Sequence, residues 1–371
     1  MINKKKKKLE IYLHIPFCVR KCGYCDFLSF AAGVEVRERY VERLLEEIKQ
    51  SRELGQRYKV ATVFIGGGTP SILEGEWIAR ILKQIQAVFS LQEDAEITIE
   101  ANPGTVNREK LGIYRAVGIN RISFGLQSTE DKELKRLGRI HTYQEFLESF
   151  EMAREAGFQN INVDLMSALP GQTLESWCKT LERITKLSPE HISAYSLILE
   201  EGTDFYRKYQ GHQEYLPSEE EERLMYECTG EILSRWGYQQ YEISNYAREG
   251  YRCRHNLGYW ERAEYKGYGL GAASLLENIR MTNQTDIKEY LRGNYAKSEE
   301  HLTEEAIREE YFFLGLRKTE GVEIGIYQEH YQELLYKLQM QQLLAEKDGR
   351  IYLTKRGIDV SNYVFAQFID G

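Results

Sequence analysis

Six short apolar runs alternate with amphipathic helical patterns through the first half of the chain, and this alternation limits the fold more than any other feature. The strand candidates are Ile11–Ile15, Ala61–Ile65, Glu96–Ala101, Arg121–Gly125, Ile161–Met166 and His191–Ile198, rich in Val, Ile, Phe and Tyr and bounded by Gly, Pro or polar residues. Helical periodicity separates most of them, over Arg37–Leu54, Glu76–Phe89, Arg108–Val117, Tyr143–Ala156 and Leu174–Leu187. Gly118 and Gly157 stand just past two of these helices, where a left-handed cap favours glycine. Parallel strands need a helix-length crossover, so six such units predict a parallel sheet with helices outside. Six units are too many for one nucleotide-binding half and too few for a closed eight-fold barrel. The pattern predicts an α/β fold with an open, partial (β/α)6 barrel and ligands at the C-terminal ends of its strands.

After Glu200 the pattern changes. Ser218 precedes Glu219 to Glu222, a hydroxyl cap followed by negative charge in a first turn, and the helix it opens should run to about Trp236. A strand-like YQQYEISNYA and a Gly- and Tyr-rich stretch, Gly258 to Ala273, follow. From Thr303 the chain is mostly helical, with GRIYLTKRG as a short strand or wing. Pattern alone divides the chain into residues 1–290 and a smaller, mainly helical, winged-helix-like region 291–371.

Apolar residues make up 42% of the 371, and 26 Tyr, 14 Phe and 4 Trp give more burial than a disordered chain carries. The net charge of −8 argues against a dedicated nucleic-acid binder. No apolar run approaches the roughly 20 residues a membrane helix needs, so no stable membrane insertion is expected. Lys4 to Lys8 read as a solvated tail rather than a secretion signal, because no cleavage pattern follows. The expected location is the cytoplasm, where thiols stay reduced.

Three of the six cysteines crowd one segment, HIPFCVRKCGYCDF, directly after the first strand. Cys18, Cys22 and Cys25 put three soft thiolates on one loop, a set that selects an iron–sulfur cluster, zinc or copper(I). Zinc would want a fourth ligand at related spacing, for which His14 is the local candidate, and a disulfide does not suit this compartment. A cubane on three cysteines leaves one iron open to a non-protein ligand. The loop resembles the signature of the radical S-adenosylmethionine (SAM) superfamily. That resemblance implies a TIM-like radical SAM barrel with one [4Fe–4S] cluster on Cys18, Cys22 and Cys25. It also implies SAM on the open iron, and an electron donor such as a flavodoxin or ferredoxin. In that superfamily the reduced cluster cleaves SAM to a 5′-deoxyadenosyl radical, while the protein orients and shields the reactants.

The second strand runs into Phe64-Ile-Gly-Gly-Gly-Thr-Pro-Ser71, which is neither a P-loop nor GxGxxG. By itself it is a tight turn that lets backbone approach a ligand. Behind the cysteine loop it resembles the superfamily's motif for the SAM amino group, at Gly67, Gly68 and Thr69. Later elements add Glu100, Gln127, Arg139 and Asp164. Carboxylates and amides suit ribose hydroxyls, and a guanidinium suits a carboxylate. Their order resembles the superfamily's cofactor ring, and Tyr12 and Tyr24 resemble further cofactor-contacting tyrosines.

The strings YLHIPFCVRKCGYCDF, GGGTPS, ANPG, RISFGLQS, VDLMSALPGQT, YEISNYAREG and HNLGYW together resemble the coproporphyrinogen-dehydrogenase-like family from residue 11 to about 275. Two branches compete. One is the oxygen-independent coproporphyrinogen III dehydrogenases, which decarboxylate propionates oxidatively. The other is the HemW-type haem chaperones, which bind haem and pass it to an acceptor protein. The dehydrogenases have a fourth cysteine two places after the third, where this chain has Phe27, and a long N-terminal extension where this chain has ten residues before Ile11. Both departures, with HNLGYW, favour the chaperone branch. His255 is then the haem-ligand candidate, flanked by Tyr259 and Trp260, although a His-Asn pair before aromatics is equally a structural turn. Cys253 is a second candidate or a buried thiol, and Cys178 and Cys228 read as core. An enzyme and a non-catalytic binding module both stay open at this point.

Overall fold

The computed structural model describes residues 6–325 and 327–369. Strands β1 (Lys7–Ile15), β2 (Tyr58–Gly67), β3 (Ser90–Ala101), β4 (Arg121–Gln127), β5 (Ile161–Ser167) and β6 (His191–Ser196) lie side by side in sequence order, all parallel. The six-unit sheet is therefore present, and it is not closed. Beyond β6 come β7 (Gln239–Glu242) and β8 (Asn245–Ala247), with β8 antiparallel to β6. At the other edge β9 (Tyr265–Tyr268) runs parallel to β1, and β10 (Ala273–Leu276), β11 (Ile279–Asn283) and β12 (Ala296–His301) continue the sheet to twelve strands.

The strands are Val- and Ile-rich because helices cover one face and the barrel lumen the other. Leu9, Ile11, Leu13 and Ile15 alternate with Glu10, Tyr12 and His14, and all four aliphatics are fully buried. The covering helices show the expected caps. Asn107 and Thr173 accept the N–H three residues on, and Thr142 with Glu145 forms a reciprocal capping box, as does Ser218 with Glu221. Gly118 and Gly157 take φ of +100° and +88° just past their helices.

Local differences from the sequence reading have plain causes. Lys4 and Lys5 lie outside the described residues, but Lys7 and Lys8 are strand, paired with Tyr58 and Lys59, so that part of the lysine run is no tail. Exposed lysine side chains do not stop the backbone from pairing. The helix expected over Arg37–Leu54 is Val34–Gln50, and after a break at Ser51 a second helix covers Arg52–Arg57. Cys178 and Cys228, expected as separate core thiols, face each other across the packed helices Leu174–Leu187 and Glu219–Arg235 and are joined as a disulfide.

The C-terminal region has its own core, from Phe312 to Phe368. Helices Glu304–Gly315 and Gln328–Met340 pack on a three-stranded sheet of β13 (Val322–Glu323), β14 (Leu344–Lys347) and β15 (Arg350–Leu353), with β14 and β15 forming the hairpin read from GRIYLTKRG. Among the described residues no helix is long and apolar enough to cross a membrane.

Candidate functional site

One cavity of about 320 Å³ opens at the C-terminal ends of the barrel strands. Cys18, Cys22, Cys25, Tyr24, Gly67, Gly68, Thr69, Glu100, Gln127, Arg139 and Asp164, all singled out from the sequence, line it. Parallel strands bring residues at equivalent positions to the same edge, and this gathers groups spread over most of the barrel.

The cysteine loop leaves β1 at Ile15 and is tied down at several points. Cys18 N–H donates to Phe30 O at 3.1 Å, and Phe30 N–H donates back to Pro16 O at 2.9 Å. Gly23 N–H donates to Leu137 O at 3.3 Å and Gly23 O accepts from Phe205 N–H at 2.9 Å, so the loop is clamped between the segments after β4 and β6. Thr69 Oγ1 donates to Cys18 Sγ at 3.5 Å and Arg139 Nη1 to Cys22 Sγ at 3.7 Å. The three thiols are half-buried, and among the described residues no three His, Cys, Asp or Glu side chains converge on a single metal ion. The three cysteines all line this one cavity, a donor set that suits a cubane, which takes each thiolate on a different iron.

The glycine turn packs directly on this loop. Gly68 N–H donates to Ile15 O and Thr69 N–H to Phe17 O, each at 2.8 Å, and a Cβ on Gly68 would lie 2.7 Å from Phe17 O. Gly67 has φ +112°, a conformation L side chains rarely adopt, and its N–H donates to Glu100 Oε2 at 3.1 Å. From there a chain of polar contacts crosses the strand ends. Asn102 Nδ2 donates to Thr69 Oγ1 at 2.9 Å, and Arg139 Nη2 donates to Asn102 Oδ1 at 2.7 Å. Tyr195 donates to Gln127 Oε1 at 2.9 Å, with Gln127 itself held at φ +74°. Asp164 accepts from Asn162 at 2.7 Å and Ser123 at 3.2 Å. Arg139 Nε and Asn245 Oδ1 are buried with no partner in the protein.

Burial pushes Glu100 up to about 8, reinforced by the nearby Asp164 carboxylate, and burial raises Asp164 as well. Two desolvated carboxylates and an unpartnered guanidinium N–H in one cavity fit a ligand that carries cationic groups, hydroxyls and a carboxylate together.

Tyr12, expected at the cofactor, and His255, expected at haem, both lie outside this lining. The Tyr12 hydroxyl lies 3.0 Å from His14 Nδ1 and its ring stacks on Phe64, so it backs the cavity without lining it. His255 is 1% exposed, with its ring stacked on Phe64 at 5.1 Å and Nδ1 sharing a 2.7 Å hydrogen bond with Thr62. Burial, then the Arg121 charge, lowers it to about 3, so the imidazole is neutral. Cys253 is fully buried beside Glu96 and pushed up to about 12 by burial, which makes it an inert thiol. The sequence reading missed Asn102, Ser123, Tyr195, Asn245 and Asn256, which also line the cavity. Asn102, two residues past Glu100, had a positional signal; Asn245 and Asn256 lie in the YEISNYAREG and HNLGYW strings, but nothing in those strings pointed to this cavity.

Residues 12–184 match the radical SAM superfamily, and residues 302–360 match the HemN C-terminal domain. The chain is 37% identical over 377 residues to the heme chaperone HemW of Lactococcus lactis, covering 98% of both chains. It belongs to the HemW family of radical SAM proteins. Identity to the Bacillus subtilis heme chaperone HemW is 38% over 373 residues, covering 96% of this chain and 98% of that one. For the Escherichia coli heme chaperone HemW it is 40% over 301 residues, covering 80% and 79%. Among solved structures, coproporphyrinogen III oxidase (HemN) from Escherichia coli, a radical SAM enzyme, superposes with a TM-score of 0.84 at 24% identity, covering 98% of this chain and 90% of that one. The fold is shared with that enzyme. The radical SAM fold implies a [4Fe–4S] cluster and SAM, and the cysteine trio and unpartnered polar atoms of the cavity fit both.

Proposed function

We propose that this chain is a haem chaperone of the HemW family. It holds one [4Fe–4S] cluster on Cys18, Cys22 and Cys25 and binds SAM across the strand ends. It also takes up haem and transfers it to an acceptor protein in the cytoplasm. Within this reading Gly67, Gly68, Thr69, Glu100, Gln127, Arg139 and Asp164 contact SAM, Tyr24 packs beside it and Tyr12 supports it through Phe64. When bound, the cluster offers one open iron to SAM and an electron, drawn from a flavodoxin- or ferredoxin-like donor. The clamped loop fixes the three thiolates, Thr69 and Arg139 donate toward two of them, and Glu100 and Asp164 set the charge around the ligand. The C-terminal region, expected over residues 291–371 but with its own core only from Phe312 because β12 still belongs to the large sheet, serves as a lid or partner surface.

The observation that carries the reading is end-to-end similarity to heme chaperones HemW, with Phe27 where the dehydrogenase branch has a further cysteine. His255 is the haem ligand first to be tested. In its enclosed position its ring must leave Thr62 and Phe64 before it can reach iron. Haem titration of the reconstituted protein should give a saturable Soret band that shifts or weakens in His255→Ala. Formation of protoporphyrinogen from coproporphyrinogen III with SAM and a reductant would instead establish the dehydrogenase.

A further inference from the structure

The HNLGYW string is a sequence motif whose position the cofactor ring does not explain. It forms a short helix, Arg254–Trp260, seated inside the open barrel. The buried Glu96 carboxylate accepts from the N–H of Arg254 at 3.1 Å and of His255 at 3.2 Å, and Cys253 Sγ lies 3.6 Å from it. His255 is held on β2 by Thr62 and Phe64. Gly258 sits so close to β1 that a Cβ there would lie 2.0 Å from Glu10 Oε1. The helix is thus fixed against β1, β2 and β3 at once, and the residue after the histidine, Asn256, reaches the cavity that holds Cys18, Gly67, Glu100 and Asp164.

A second asparagine arrives from the other open edge. Asn245 on β8 pairs in register with Ser193 on β6, and both line the same cavity. Asn245 is 7% exposed; its Nδ2 donates to Glu242 Oε1, and its Oδ1 has no partner. A buried carbonyl oxygen without a donor is costly, and this one belongs to a residue that lines a cavity fit for a ligand rich in donors. SAM carries such donors on its amino group, ribose and adenine.

We propose that Asn245 and Asn256, brought in by the segment after the barrel, form the far wall of the SAM chamber and contact the bound cofactor. His255 is then a positioning residue that locks Asn256 in place. The proposal rests on the cofactor assignment from the radical SAM fold and is independent of the chaperone reading.

The test uses the full chain with its cluster reconstituted anaerobically. Iron and sulfide content, melting temperature, SAM dissociation constant, the electron paramagnetic resonance spectrum of the reduced cluster with and without SAM, and haem titration are measured together. Asn245→Leu and Asn256→Ala should keep wild-type cluster content, weaken SAM binding about tenfold each, as expected for one lost hydrogen bond to a ligand with charged groups, and blunt the SAM-induced spectral change. If Asn256→Ala fails to fold, Asn256→Gln carries the same comparison. SAM affinities within twofold of wild type in both asparagine variants, with intact clusters, overturn the proposal. So does His255→Ala if it abolishes haem binding and leaves SAM affinity untouched. A wild-type chain that takes up no cluster overturns the cofactor assignment itself, and the proposal falls with it.

Discussion

Glu100→Gln offers a quantitative handle on the cofactor cavity. In the free protein, burial first and the Asp164 carboxylate second raise Glu100 to about 8, so at neutral pH it is mostly protonated. A ligand carrying a sulfonium and an ammonium favours the ionised form, and its binding should release that proton. With a free-state value near 8 the carboxylate is ionised in about one molecule in a hundred at pH 6 and in about half at pH 8. If the complex keeps it ionised throughout, SAM affinity rises about 50-fold across that interval. Glutamine keeps an acceptor for the Gly67 N–H, 3.1 Å away in the native chain, and cannot ionise. The amino group of SAM titrates near 8 as well, but equally in both proteins, so the ratio of wild-type to variant affinity isolates Glu100. Calorimetric titration from pH 6 to 8.5 on cluster-loaded protein reads that ratio. A ratio that does not change with pH would refute the reasoning.

The same raised value has a consequence for the cofactor-free fold. Below the unfolded-state value near 4.5 both states hold the proton, and stability falls as pH rises toward 8, where the folded carboxyl finally ionises. Melting temperature should therefore drop between pH 5 and 8, less steeply in Glu100→Gln, with Glu10, also raised by burial to about 8, supplying part of the remaining slope.

Gly68→Ala should lose more than half of its cluster iron, because the new methyl meets Phe17 O at 2.7 Å and Cys18 Sγ at 3.0 Å; overpacking of this kind costs about 1–3 kcal/mol, read by iron analysis and denaturant unfolding. The triple Cys18→Ala, Cys22→Ala, Cys25→Ala variant should keep the circular dichroism of the fold and bind no iron. Thr142→Ala removes half of a capping box and should lower unfolding stability by about 1 kcal/mol without changing cluster content or SAM affinity.

The barrel was legible because its strands and helices obey periods of 2 and 3.6 over short stretches. Glu100 and Gln127 were legible for a related reason: they stand at the ends of β3 and β4, and parallel order carries those ends to one edge; Asp164 lies mid-β5 and Arg139 beyond the helix Asp131–Leu137, and both were legible from the order of the motifs. What stayed hidden depends on contacts with no local signature. Lys7 and Lys8 look like part of a charged tail until β2 is present to pair with them. Asn245 enters the cavity only because β8 runs antiparallel to β6, and nothing in EISNYA states which strand it will meet. Cys178 and Cys228 lie fifty residues apart, and their meeting follows from helix packing that periodicity does not specify.

His255 shows the same limit in chemical form. A histidine among aromatics supplies the atoms of a haem site, but ligation also needs an open approach, and burial decides that. Here the ring is stacked on Phe64 and bonded to Thr62, on the same short helix that sends Asn256 into the cofactor cavity. If haem iron is to reach His255, the ring must leave that seat, and Asn256 is displaced with it. SAM and haem would then oppose each other, and linkage requires each to weaken the other by the same factor. Haem dissociation constants measured with and without saturating SAM, and SAM constants with and without haem, should therefore change by equal ratios. If the two ligands bind independently, haem is held by a residue outside the Arg254–Trp260 helix.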